Sequence, residues 1–389
     1  MSKKSIIYVS PLPPSKSGIA DYSKRLIEVL SQRFDITLYT DNNEVDKELE
    51  DKYKVLKKDV NLVNFNSYDC IIYNIGNNGQ YHEYIYKLCL KHPGFVILHD
   101  MVIYDLMSYM YGKKNLFFQK LYNLCGIDDF YQIKLMYKEG KYDFNRTTKV
   151  PFNNELLLSG NKIIVHSWYS HDNILKTGLI DKKNLFKVNH LKVGEKLENK
   201  NISRDSLFEK FNIPKDAIII SSFGNIIPTK LNEYTCKAVK NISNNFNKKI
   251  CYVMVGEGDV VDSYIDDKLI IKTGYVTLDD FEAFIEYSDV IVNLRYPTLG
   301  ETSGAMIRIL ERGKTCIINA DGWFAELPSD SVYQVKRDEL EKDLEEAILK
   351  LINDDELREN IGKNAKAYIE KEYNDSKILK DFERILSLG

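Results

Sequence analysis

The sequence predicts an α/β protein made of two doubly wound parallel-sheet domains that face each other across a central cleft. Three observations carry this. Short apolar, β-rich runs alternate with amphipathic helical stretches through the first half of the chain. The alternation stops in the charged segment 192–212, KVGEKLENKNISRDSLFEKFN, and then restarts with the same design. At 389 residues, the chain is long enough for two domains of ordinary size.

The elements follow in order. SIIYVS reads as a buried parallel strand, and a loop stiffened by Pro11, Pro13 and Pro14 leads to Ser17, a candidate N-cap. Ile19, Tyr22, Leu26 and Leu30 then recur at helical spacing. FDITLYT, CIIYNIG, FVILHD and KIIVHS are the next strands. After the charged segment come AIIISSFG, a helix from about Asn232, ICYVMVGEG, LIIKTGY, a helix from about Leu278, DVIVNL, a helix from about Ser303, and TCIINAD. From about Asp338 the chain reads as charged amphipathic helix. The expected boundaries are 1–195 for the first domain, 203–370 for the second and 371–389 for a terminal helix.

Composition narrows the function. Lys and Arg total 54 against 57 Asp and Glu, a net charge of −3, which excludes a nucleic-acid coat while allowing a local basic patch. No apolar run approaches the ~18 residues of a membrane span, and the N-terminal apolar stretch is too short for a secretion signal. The six cysteines form no C-x-x-C pair and sit mostly in apolar runs, as buried reduced thiols do. A cytoplasmic protein is expected. Aromatics are unevenly spread: 26 Tyr and 17 Phe stand against 2 Trp, and many fall between Tyr104 and Tyr142. That stretch, also rich in lysine, is either a pair of core helices with snorkelling lysines or a peripheral contact with the inner face of a membrane.

In parallel α/β sheets, ligands bind beyond the carboxyl ends of the strands, so the loops there are the ones to inspect. Gly18 precedes a helix start, where free N–H groups favour an anion. The loop has one glycine and no G-x-G-x-x-G fingerprint, which argues against a dinucleotide site. His99 and Asp100 directly follow a buried strand, where an imidazole can meet a hydroxyl or phosphate. Gly224 permits close backbone approach, and the Lys230 ammonium can neutralise a diphosphate or simply be solvated. In PTLGETSGAM, Glu301, Thr302, Ser303 and Gly304 lead into a helix whose exposed N–H groups can bind hydroxyls and phosphate oxygens together, with a helix cap as the plainer reading. Trp323 and Phe324, after the Asp321–Gly322 turn, can stack on a base or sugar, or pack. No D-x-D metal motif falls in such a loop; no metal site and no cofactor are expected.

Together these loops resemble the GT-B glycosyltransferases, specifically the retaining family 4, over nearly the whole chain. The carrying segments are PLPPSKSGIADYSKRLIEVL, VILHD, IIVHSWYS, FGNIIPTK, MVGEGD and PTLGETSGAMIRILERGK, with GWFAELP marking a subgroup. The resemblance implies two Rossmann-like domains and a terminal helix, SKILKDFERIL, returning to the first. It implies that His99 contacts the transferred sugar and that Lys230 binds the donor diphosphate, with Gly18 and Gly224 beside it. Glu301 would match the first family glutamate, with Thr302, Ser303 and Gly304 holding sugar and phosphate. Two positions depart. The usual arginine before the lysine is Asn225, leaving Arg295 and Arg308 as candidate bases. The second glutamate position is Arg308, with Glu311 three residues on.

The activity implied is a retaining, metal-independent transfer from a nucleoside-diphosphate sugar, the co-substrate, to a glycan, lipid-linked or protein acceptor, as in polysaccharide biosynthesis, with no nucleic-acid partner. A sugar-nucleotide epimerase and a non-catalytic glycan- or nucleotide-binding subunit are the alternatives.

Overall fold

The computed structural model describes residues 3–58, 63–112, 115–192, 202–266 and 268–388. The chain divides into two compact units: 1–193 with 299–302 and 373–389, and 194–298 with 303–372.

The first unit holds seven parallel strands: β1 (Ser5–Val9), β2 (Asp35–Thr40), β3 (Lys54–Lys57), β4 (Cys70–Ile75), β5 (Phe95–Leu98), β6 (Lys162–Val165) and β7 (Leu185–Lys187). Their order is β3-β2-β1-β4-β5-β6-β7, so the strand order reverses between β1 and β4. Ile6, Ile7, Tyr8 and Val9 of β1 are fully buried, as a central strand covered on both faces requires. The helix Gly18–Ser31 starts where Ser17 accepts the Ile19 N–H at 3.3 Å. It turns Tyr22, Leu26 and Leu30 inward.

The second unit repeats the plan with β8 (Ile218–Phe223), β9 (Ile250–Val255), β10 (Ile270–Lys272), β11 (Val290–Val292), β12 (Cys316–Asn319) and β13 (Tyr333–Val335). The order is β10-β9-β8-β11-β12-β13, again all parallel, with the switch between β8 and β11. Two such sheets are the fold the sequence predicts.

Three strands escaped the sequence reading: β3, β7 and β13. Each ends its sheet and is only 3 or 4 residues long. An edge strand is half exposed and admits lysine, so its apolar signal is weak. Part of the charged segment, Arg204–Lys210, is a helix capped by Ser203, while 193–201 lie outside the described residues.

One boundary differs from the continuous 203–370 block. Residues 299–302 belong to the first unit, because Val102 N–H donates to Leu299 O at 2.9 Å and Ser170 Oγ donates to Gly300 O at 2.6 Å. The terminal helix Asp375–Leu386 also belongs to the first unit. Its Ile378, Phe382 and Ile385 join the cluster of Ile6, Leu26, Leu30 and Phe34. Full burial of each such side chain contributes about 1.5–3 kcal/mol. Arg25 pairs with Asp375 at the helix start.

Among the described residues, five helices lie between β5 and β6: Tyr104–Tyr111, Asn115–Leu124, Ile127–Glu139, Phe144–Thr147 and Asn154–Leu158, the first three within the aromatic stretch. Tyr104, Phe117 and Phe152 pack ring to ring with centroids 5.4–5.7 Å apart. Tyr109, Tyr122, Tyr131 and Tyr142 are exposed. Core packing therefore accounts for part of the aromatic surplus, and even Tyr122 and Tyr142 lean on Phe130 and Tyr104. The six cysteines are free thiols, five buried and Cys125 partly so. Among the described residues, no helix is long and apolar enough to cross a membrane.

Candidate functional site

In the second unit, the loop after β8 carries Gly224 and ends in a short helical turn, Pro228–Lys230. The Lys230 ammonium folds back to donate to the Phe223 carbonyl. A β-carbon on Gly224 would lie 2.6 Å from Lys230 Nζ, so the cation rests against the glycine backbone. The loop is braced by the one after β9: Gly224 N–H donates to Val255 O at 2.9 Å, and Ile226 N–H to Glu257 O at 2.6 Å. Gly256 makes this approach feasible, since a β-carbon there would meet Gly224 O at 2.2 Å. The MVGEGD string thus has a physical role: it lets two strand-end loops touch backbone to backbone.

Ser303 and Gly304 open the helix Gly304–Glu311 after β11. Ser303 Oγ accepts the Met306 N–H at 3.2 Å, so its hydroxyl is the N-cap. The space where a Gly304 β-carbon would stand is open. Arg308 departs from the ligand role expected of it. It points into the unit, buried, with Nη1 2.7 Å from Glu282 Oε1. Its charge compensates a buried carboxylate, in place of the ligand contact expected of it. Trp323 and Phe324 are also buried, so their rings pack within the unit and do not offer a face to a ligand. The backbone of Arg295 is clamped by Asn319, whose Oδ1 accepts the Arg295 N–H at 2.7 Å and whose Nδ2 donates to Arg295 O at 2.8 Å.

The first unit gathers Gly18, His99, Glu301 and Thr302. Ile19 and Asp100 both crowd Gly76 after β4, where an added β-carbon would lie 2.5 Å from Ile19 Cδ1 and 3.1 Å from Asp100 Oδ2. The loop of Gly18 and the loop of His99 are therefore neighbours at the switch between β1 and β4. The segment 299–302 joins them through Val102, as described above. Glu301 Oε2 accepts the Leu299 N–H at 2.7 Å, which shapes its own loop. Thr302 Oγ1 is buried without a hydrogen-bond partner.

His99 is part exposed, and its Nε2 lies 3.0 Å from Asn74 Oδ1. Burial, and after it the neighbouring His166, His190 and His82 rings, hold its pKa well below the usual histidine range. The ring is neutral at pH 7 and suits a hydroxyl better than it would balance a phosphate. Beneath it lies a layer the sequence reading missed. Tyr22 packs edge-on against His99, with centroids 4.7 Å apart, and also meets His166 at 5.2 Å and His190 at 4.7 Å. A signal existed: His166 directly follows β6, just as His99 follows β5. Among the described residues, no group of three His, Cys, Asp or Glu side chains is arranged to hold a metal ion.

Comparison with known proteins adds to this geometry. Residues 203–368 match the family model of glycosyl transferases group 1. An uncharacterized glycosyltransferase of Methanocaldococcus jannaschii is 25% identical over 200 residues, and the match spans 49% of each chain. The alignment thus covers about half the length of that relative. Among solved structures, Anabaena HepE in complex with UDP-glucose is similar, with a TM-score of 0.64 and 13% identity over 99% of this chain and 100% of that one. TarM has a TM-score of 0.67 at 12% identity over 99% of both chains. WaaG, a glycosyltransferase involved in lipopolysaccharide biosynthesis, has a TM-score of 0.61 at 11% identity, over 98% of this chain and 99% of that one. The chain therefore has the two-domain fold of the GT-B glycosyltransferases, and its residues 203–368 match the glycosyl transferases group 1 family.

Proposed function

We propose that the protein is a retaining glycosyltransferase that takes its sugar from a nucleoside-diphosphate sugar. The observation that carries the proposal is the Lys230 ammonium held against Gly224 at the sheet switch point of the second unit, inside the segment that matches the family. A fixed cation there stabilises the departing diphosphate, which is the main electrostatic task of the reaction. The N–H groups at Gly304 add donors for phosphate oxygens or hydroxyls. Gly18 opens its own helix in the first unit, where free N–H groups favour an anion. His99 hydrogen-bonds to the transferred sugar, and Glu301 and Thr302 meet sugar hydroxyls. Attack proceeds on the face the leaving group vacates, assisted by that group, with no metal ion. HepE was crystallised with UDP-glucose, which makes uridine-diphosphate hexoses the first donors to test.

The acceptor is a glycan, a lipid-linked sugar or a protein, in cell-surface glycan assembly. The exposed Tyr109, Tyr122 and Tyr131 with nearby lysines support a surface for a lipid-linked acceptor at the inner membrane face. Salt-sensitive co-sedimentation with anionic vesicles tests that surface, and its absence removes it.

The function is tested with a nucleotide-sugar panel read by saturation-transfer NMR, followed by transfer assays with the donor that binds. Nucleotide release that depends on an acceptor, and a product with the donor's anomeric configuration, support the proposal. An isomerised sugar formed without any acceptor overturns it in favour of an epimerase. Binding to no nucleotide sugar at all overturns it in favour of a non-catalytic subunit.

A further inference from the structure

The segment that follows β6 sends its side chains two ways. His166 turns inward and is buried, its ring centroid 5.2 Å from that of His99. Two residues on, Trp168 opens the helix Trp168–Lys176 and turns outward, 53% exposed. The chain has two tryptophans, and the other, Trp323, is only 3% exposed. An indole left half in water contributes little to a core, and tryptophan is among the side chains most enriched where proteins bind their ligands and partners.

The turn that carries Trp168 is fixed. Ser167 caps the helix, its Oγ accepting the Ser170 N–H at 3.1 Å. Ser170 Oγ in turn donates to Gly300 O at 2.6 Å, next to Glu301. A β-carbon added to Gly300 would lie 2.8 Å from Ser170 Oγ and 2.5 Å from Cβ of Met101, two residues beyond His99. The Trp168 turn is therefore packed against both segments that supply the candidate sugar contacts, and all three belong to the first unit.

Polar groups frame the indole. Lys187, at the end of β7, places its ammonium 5.5 Å from the ring centroid. The His171 ring meets it edge-on, with centroids 5.2 Å apart. A flat apolar ring rimmed by an ammonium and an imidazole matches a pyranose, which has C–H groups on its faces and hydroxyls around its edge.

We propose that Trp168 is a specificity-determining residue of the acceptor site, its indole stacking on a pyranose ring of the acceptor while Lys187 meets the hydroxyls at that ring's edge. This rests on the reading of the protein as a glycosyltransferase. Under that reading the donor phosphates lie at Lys230 in the second unit, which leaves the aromatic face of the first unit to the acceptor. The contact selects an acceptor whose receiving end is a sugar ring over a bare protein side chain.

The test is tryptophan fluorescence of the full chain, because Trp168 is open to a soluble quencher and Trp323 is shielded. Acrylamide should quench one tryptophan in the wild type and leave the emission of Trp168→Phe largely intact, which also reports that the variant is folded. Methyl glucoside, methyl galactoside and methyl N-acetylglucosaminide are then titrated in both anomeric forms, and uridine diphosphate separately. Protection of Trp168 by at least one glycoside is the expected result. Protection by uridine diphosphate alone assigns the ring to a nucleotide base and overturns the inference, and protection by no probe overturns it too. In transfer assays, Trp168→Ala should lower kcat/KM for the acceptor about tenfold, and Trp168→Tyr should recover most of the loss. Affinity for the donor nucleotide, measured by calorimetry, should stay unchanged in both variants. An unchanged acceptor kcat/KM in Trp168→Ala overturns the inference and leaves the proposed function standing, whereas wild-type protein that binds no nucleotide sugar overturns the function itself.

Discussion

Arg308 Nη1 and Glu282 Oε1 meet at 2.7 Å in the interior of the second unit, and Arg312 Nε lies 3.1 Å from the other carboxylate oxygen. Removing one partner strands a charge away from water, whereas replacing both can be nearly neutral. Arg308→Ala should therefore lower the unfolding free energy by about 3–5 kcal/mol. The pair Arg308→Met with Glu282→Leu should lose less than Arg308→Ala alone. Urea unfolding of the three proteins checks this. Nucleotide binding by the folded fraction should not change, since Glu282 holds the Arg308 guanidinium in the interior.

Lys230→Ala removes the cation at the loop after β8. A hydrogen bond to a charged group is worth about 1.5–3 kcal/mol, so nucleoside-diphosphate affinity should fall about 10- to 150-fold. Titration calorimetry measures it, and the melting temperature should move little, because Lys230 is part exposed.

Gly256→Ala places a methyl group 2.2 Å from Gly224 O, at a backbone φ of +157°. Either the loop of Gly224 moves or the fold loses stability, by about 1–3 kcal/mol. A lowered melting temperature together with a raised KM for the donor is the expected signature. An Ala at Gly274, where nothing stands near the added carbon, should cost its left-handed backbone only and leave KM alone.

His82 and His166 are buried as neutral rings, with burial the largest cause, and their pKa values are lowered to about 4 and about 3. Both folded values lie below the unfolded value near 6.5, so below pH ~6.5 the unfolded chain binds the extra protons. Stability should be level above pH 7 and should fall as pH drops from 6.5 toward 4, by about 1.4 kcal/mol per pH unit for each histidine. His82→Gln should flatten the slope by one such increment in denaturant titrations run across this range.

Much of the fold was legible because its signals are local. A buried central strand such as Ser5–Val9 is an uninterrupted apolar run, and Ser17 and Ser303 precede helices whose N–H groups they accept. His99 was legible as a site residue because it stands directly after a strand of a parallel sheet. The edge strands β3, β7 and β13 were not legible, because half-exposed runs of 3 or 4 residues carry little hydrophobic pattern.

By itself the sequence determined two α/β units, the loops that end their strands, and the residues in those loops able to meet phosphate and hydroxyl. Tertiary structure alone decided which way those residues turn. Arg308 follows a loop able to meet a ligand, yet Glu282, twenty-six positions earlier, holds its guanidinium. Residues 299–302 join the first unit because two of their carbonyls find donors on Val102 and Ser170. Tyr22, Asn74, His99, His166 and His190 converge from separate strand ends and one helix. Periodicity and capping are written in neighbours along the chain, while compensation of a buried charge depends on partners that only folding brings within hydrogen-bonding distance.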